Sequence, residues 1–377
     1  MKIIQAIKYE GSAFEIDVQT DPLIDPLVLV FGNRHMLEQE GLYEEVRSLF
    51  PTGDIVLGST SGEIIGDRLV EHSVVLTAVA FEKASYQAKS YHLQDFQYDL
   101  GQLGSTISAH LPTKGLKHIF IVSEGSFVNG SELIKGIEQN RPTHITLSGG
   151  LCGDDDRFER TLASLNGPPQ TGTIVAIGFY GETLEITAAN DSGWIPFGPE
   201  RTITKANGNI LYELDGMPAL DLYKKYLGSR AKELPNAALL YPLRLRKETQ
   251  ASPLVRTILS IDEENNAMRL AGDMPEGGKV QLMMSNVEDI VEAARTAASL
   301  AMKHRENPPE LGLLVSCVGR KLVMDQRTEE ELEEVASVVG HKVKLAGFYS
   351  YGEIAPFTGQ PGSELHNQTM TLTLFSE

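Results

Sequence analysis

Apolar runs of strand length alternate along the chain with stretches whose apolar residues recur at helical spacing, and Gly and Pro punctuate the joints. In a first unit, PLVLVF at 26–31 reads as a strand buried on both faces. Residues 36–50 follow as a helix with Leu42, Val46, Leu49 and Phe50 on one face, stopped by Pro51 and Gly53. Ile55–Leu57 is then a second strand, running into Gly58-Ser-Thr-Ser-Gly62-Glu63. The same order returns with a strand at 118–122, a helix at 130–139 and a strand at 144–147 that leads into Gly149-Gly150-Leu-Cys-Gly153-Asp154. It returns again with a strand at 311–317, a helix from about 328 and a strand at 342–346 that enters Gly347-Phe-Tyr-Ser-Tyr351-Gly352-Glu353. A later apolar strand closes each unit, at 74–81, 173–180 and 370–375. Downstream of the first two closing strands the sequence repeats a hairpin pattern, VVLTAVAFEKASYQAKSYHL and TIVAIGFYGETLEITAAN.

This pattern predicts an α/β protein of two related domains built from repeated β-α-β-β units. The weakly patterned PFGPERTITKANGN places the boundary at residues 1–203 and 204–377. Beyond it, Pro218 suits the first turn of a helix that ends near Gly228. Residues 239–284 read as strands, and Ser285 or Asn286 caps a helix carrying Ile290, Ala294, Ala298 and Ala301.

Composition narrows the function classes. The 377 residues carry 33 Lys+Arg against 51 Asp+Glu, a net charge of -18 without a basic cluster, which argues against nucleic-acid binding. Two cysteines, Cys152 and Cys317, make neither a disulfide framework nor a CxxC metal knuckle, and fit a reducing compartment. No apolar stretch approaches the ~20 residues of a spanning helix, and the N-terminus has no secretory apolar region. The expectation is a cytoplasmic protein with no membrane or metal partner.

The candidate chemistry lies at the Gly-acid corners. Gly58, Gly149 and Gly150 at strand ends allow a ligand to approach main-chain N–H groups. No Lys-Ser/Thr follows them, and Glu63, Asp154 and Glu353 stand where a phosphate needs positive charge. An acid there suits an ammonium, a hydroxyl or a metal; the alternative is that it caps the following turn. Asp154-Asp155-Asp156 lacks the alternate spacing of a calcium loop. Arg320, after the strand ending at Cys317, offers a fork for a carboxylate, or else a salt bridge. With Tyr351 and Glu353 it makes a recipe for gripping a zwitterion, and Arg244 in YPLRLR faces the same cleft or an exposed edge. Cys317 reads as a core residue or a pocket wall. With no GxSxG, HExxH or GxGxxG, the expectation is a binding protein rather than an enzyme. An enzyme acting on a small amine-containing metabolite is the alternative.

At these residues the sequence resembles the FIST family (F-box and intracellular signal transduction). FPTGDIVLGSTSGEI and ITLSGGLCGDDDRFERT resemble its N-terminal signature. YELDGMPALDLYKKYLG, LVSCVGRKL, GFYSYGEIAPF and HNQTMTLTLF resemble its C-terminal one. The resemblance implies a sensory module for small ligands, with amino acids as the suggested class, acting through a partner protein. It also implies an alternative, a haem-based nitric-oxide sensor regulating a histidine kinase or a cyclic-dinucleotide enzyme. Haem is therefore the one cofactor to test.

Overall fold

The first strand of each unit, Leu27–Gly32, Leu116–Ser123 and Leu311–Cys317, is buried nearly end to end, as its unbroken apolar run requires. Each pairs in parallel with the strand that follows its helix: Asp54–Ser59, Thr146–Leu151 and Lys344–Ser350. Each pairs on its other side, antiparallel, with the closing strand: Ser73–Ala80, Thr173–Tyr180 and Met370–Ser376. The helices between the parallel strands are Leu42–Leu49, Gly130–Asn140 and Glu329–Val339. The computed structural model describes residues 1–16, 22–234, 236–247, 253–357 and 362–377. Among these, the fold is α/β, with three six-stranded sheets and an eight-stranded one.

The three units are knitted together by exchange. Glu63–Ile65, at the first corner, adds to the third unit's sheet beside Lys344–Ser350. Gly352–Pro356, at the third corner, adds to the second sheet beside Thr146–Leu151. Ala163–Leu165, after the second corner, adds to the first sheet beside Asp54–Ser59. Each unit thus lends a strand to one neighbour and receives one from the other, a closed cycle of three.

The hairpins predicted downstream of the closing strands do not form. Ser73–Ala80 already has both edges occupied, by Lys2–Tyr9 and Leu27–Gly32, so Ser85–His92 pairs instead with Thr173–Tyr180 in the second sheet. Thr173–Tyr180 is likewise filled on both sides, and Glu185–Asp191 crosses to Met370–Ser376 in the third. The predicted boundary at 203/204 falls inside one continuous strand, Ile195–Asn207.

Alternation along the strands builds the layers. Leu29, Phe31, Phe120, Val122, Leu313, Val315 and Phe348 point inward to a shared central cluster. Val28, Val30, Ile119, Ile121, Leu314 and Leu345 point outward under the helices. Residues 195–284, the eight-stranded sheet with helix Ala219–Leu227 on a core of its own, are inserted into the third unit before helix Val287–Met302. Asn286 caps that last helix, accepting the Asp289 N–H at 2.9 Å. Among the described residues no helix is long and apolar enough to cross a membrane.

Candidate ligand-binding site

The three Gly-acid corners meet. Ser61 N–H donates to the Tyr349 carbonyl at 2.9 Å, Tyr351 N–H to Leu151 at 3.1 Å, and Gly153 N–H to Ser59 at 2.9 Å. The contact is too close to leave a hollow. A Cβ on Gly58 would lie 3.0 Å from Val122 and 3.1 Å from the Cys152 sulfur; one on Gly150 would lie 2.6 Å from Val315. Gly149, at φ +139°, would set its Cβ 2.1 Å from the Ile121 carbonyl. These glycines serve close approach of strands, not of a ligand.

The acids of the corners are spent on their own turns. Glu63, fully buried, accepts from the hydroxyls of Thr60 and Ser73, and burial pushes its carboxyl up to about 8 despite them. Glu353 accepts from Ser350 Oγ at 2.7 Å and from Thr369 N–H and Oγ1 at 3.1 and 2.9 Å; burial raises it to about 7. For Asp154, burial alone would raise the carboxyl, but Arg157 and Arg34 bond to it and hold it below its ordinary value.

Arg320 is also closed. Its Nε and Nη2 lie 2.9 and 2.6 Å from Glu331 Oε2, both side chains fully buried, and Nη1 donates to the Ser192 carbonyl at 2.6 Å. The fork expected for a ligand carboxylate is filled by the protein's own. Cys317 is buried, and burial drives its thiol well above the usual range. Arg244 lies half-buried on strand Leu243–Arg246 of the eight-stranded sheet and lines no part of the cavity described next.

Of the expected site residues, Tyr351 alone reaches that cavity, which has a volume of about 510 Å³. The hollow lies off the carboxyl ends of the parallel strands Leu116–Ser123 and Thr146–Leu151, where open α/β sheets bind ligands. In the other two units the matching strands run almost at once into the short helices Arg34–Leu37 and Val318–Met324. In the second unit a loop intervenes before helix Gly130–Asn140. Glu124 shapes it: the buried carboxylate accepts the N–H groups of Ser126 and Phe127 at 2.6 and 2.9 Å and the Thr161 hydroxyl at 2.7 Å. A Cβ on Gly125 would sit 2.2 Å from the Cys152 carbonyl, so the turn requires glycine.

That loop turns Phe127 outward, 64% exposed, on one side of the cavity. Opposite, Phe158 stacks on Tyr351 with ring centroids 4.6 Å apart, and its N–H donates to the Tyr351 hydroxyl at 3.2 Å. Phe158 holds this pose at φ 53°, a left-handed conformation that costs of order 1–3 kcal/mol in a residue other than glycine. Leu259, Leu270 and Ala271 of the inserted sheet form the third wall. Arg269 and Glu159 stand exposed at the rim.

The sequence profile of the FIST N domain matches residues 26–217, and that of the FIST C domain matches 219–356. The chain belongs to the FIST family. FIST domains are associated with signal transduction and small-ligand sensing. Uncharacterized proteins from two strains of Mycobacterium tuberculosis are 28% identical to this FIST protein over 236 residues, 61% of its chain and 59% of theirs. An uncharacterized protein of Methanocaldococcus jannaschii is 25% identical over 241 residues, 56% of this chain and 46% of its own. The FIST chain therefore matches about three-fifths or less of the length of these relatives.

Haem does not fit the cavity. An axial ligand must come from His, Cys, Met or Tyr, and the lining offers Tyr351 alone. Its hydroxyl is held between Phe158 N–H and the Asp155 carbonyl, and burial raises its pKa, which disfavours a phenolate. Phe127, Phe158, Leu259 and Arg269 escaped the reading of the FIST sequence. The available signal was EGSFVN after the strand at 118–122, a Gly-containing loop where the sister units have a helix.

Proposed function

We propose that this FIST protein senses a small amphiphilic molecule of amino-acid type in the cavity beside Phe127, Phe158 and Tyr351, binds it without turnover, and passes the signal to a partner protein. The observation carrying this reading is the uncapped pair of parallel strand ends in the second unit, opening into about 510 Å³. That volume is in the ~300–1,000 Å³ range of small-molecule sites, and the walls combine apolar and aromatic side chains with polar ones such as Asn129, Asn209 and Ser260. The lining serines, Ser126 and Ser260, have no His or Lys in the lining to serve as base, and Glu159 pairs with Arg34 at 2.8 Å, which favours binding over catalysis.

Signalling follows from where the walls come from. Residues 125–129, 151, 158, 159 and 209 lie in the FIST N match, and 259, 260, 269–271 and 351 lie in the FIST C match. A guest touching both is held best at one relative placement of the two, and so shifts the population toward it. Cytoplasmic action, and a histidine kinase or cyclic-dinucleotide enzyme as the partner, belong to this proposal.

A thermal-shift screen of the twenty amino acids on the full chain tests it. A ligand at 100 times its Kd adds about 2.7 kcal/mol of stability, enough to raise the melting temperature measurably. Leu259→Arg, at an exposed rim position, should leave the unliganded melt unchanged and abolish the shift. Silence across the panel, or a shift indifferent to Leu259→Arg, overturns the assignment.

A further inference from the structure

Rim charges do not anchor an anion here. Arg269 is exposed, where an ion pair contributes about 0–1 kcal/mol, and the whole chain carries a net charge of -18. A stronger cation lies just behind the wall. Arg256, 0% exposed, ends strand Leu254–Arg256 of the inserted sheet. Its guanidinium donates to the carbonyls of Leu365 at 2.8 Å and Val255 at 3.3 Å, and its Nη2 lies 3.5 Å from Ser131 Oγ. Its Nε has no partner, and among the described residues no carboxylate forms an ion pair with it. Two carboxylates, Glu364 and Asp273, act on it electrostatically from a distance, but each makes its bonds elsewhere: Asp273 accepts from Asn129 at 2.8 Å, and Glu364 pairs with Lys247 at 3.1 Å.

Buried charges are ordinarily paired, because an isolated one loses its hydration without return. Arg256 lacks that direct contact, and its Nε keeps a free donor among the described residues. Its Nε faces Gly272, where a Cβ would come within 2.8 Å of it and within 2.9 Å of Ser131 Oγ. Ser131 sits in the first turn of helix Gly130–Asn140, whose N-terminus adds positive potential. Asn129, two residues before Ser131, and Ala271, next to Gly272, both line the cavity, so the backbone packed on the guanidinium is continuous with the cavity wall. In the same seam Thr257 Oγ1 and Asn367 Nδ2 are also buried without partners.

Resting on the reading of the cavity given above, we infer that Arg256 anchors the ligand's carboxylate. The carboxylate enters where the segment around Gly272 yields, and its two oxygens take the guanidinium N–H donors that the protein leaves unused. The apolar remainder of the ligand stays against Phe127, Phe158 and Leu259.

The test compares phenylacetate with its neutral isostere phenylacetamide by calorimetric titration of the full chain. Phenylacetate should bind about thirtyfold or more tightly, as expected for a desolvated charge pair. Arg256→Met should erase that preference, weakening the acid far more than the amide. It should also melt close to wild type without ligand, because it removes a buried charge that no carboxylate of the described residues touches. A preference for the acid that survives Arg256→Met overturns the inference and leaves the cavity reading standing, provided Leu259→Arg still blocks both probes. No binding of phenylacetate to wild type overturns it too; the cavity reading falls with it only if the amino-acid screen is also silent. Should Arg256→Met fail to fold, Arg256→Lys exchanges the planar fork for a point charge, and acid affinity must drop about tenfold or the inference fails.

Discussion

Arg320 and Glu331 form an ion pair shut off from water, with neither side chain exposed. Arg320→Ala leaves Glu331 buried and uncompensated, and should lower stability by about 3–5 kcal/mol in urea denaturation. The double variant Arg320→Met with Glu331→Gln should recover most of that loss; equal loss in both would mean the pair is not the cause. Glu63 and Glu353 give a different signature. Their folded pKa values, about 8 and about 7, stand above the ordinary 4.5, so the folded state keeps protons that the unfolded chain has released. Their stabilisation is complete below pH 4.5 and declines as pH rises, levelling off above about 8, with a slope of up to about 1.4 kcal/mol per unit for each group. Denaturation midpoints from pH 5 to 8.5 should fall, and Glu63→Gln should flatten the fall; a rise over that range would contradict the burial of these acids. At this scale the residue types were legible and their partners were not. Arg and Glu on different turns look alike in sequence whether they await a ligand or face one another, and the Arg320–Glu331 pair forms only when strand end and helix pack.

Among the elements, the loop between strand Leu116–Ser123 and helix Gly130–Asn140 decides where a cavity can exist. Its shape hangs on the Glu124 carboxylate, which collects two backbone N–H groups and a hydroxyl. Glu124→Ala frees those groups and should let the Phe127 side chain wander. Ligand-induced stabilisation should then shrink by about 1–3 kcal/mol while the helix content by circular dichroism stays unchanged; full ligand response in the variant would detach the loop from the site. The units themselves were readable because their strands are buried on both faces and so appear as unbroken apolar runs. The hairpins do not form: a short turn between two strand-like segments says nothing about edges. Only the pairing of Ser73–Ala80 with strands on both sides shows that no edge was left.

For the whole molecule, the cyclic exchange makes the two family domains interdependent. Glu63–Ile65 rests on a strand of the C-terminal half, and Gly352–Pro356 on one of the N-terminal half. Residues 1–217 expressed alone should lack a cooperative thermal transition, while the full chain shows one across the three shared sheets; a sharp melt of the isolated half would refute that interdependence. The exchange was hidden in the sequence because pseudo-equivalent strands carry interchangeable apolar patterns, and any of three sheets suits a visiting segment. The same architecture brings FIST N and FIST C residues to one cavity, so occupancy of that cavity is the point on which the sensor reading turns. Hydrogen-exchange mass spectrometry of the full chain, with and without the best-stabilising amino acid, measures it directly. Slower exchange concentrated in residues 125–129 and 259–271 is the expected result. Protection confined to the corner at 58–63, none of whose residues line the cavity, or none at all, would contradict it.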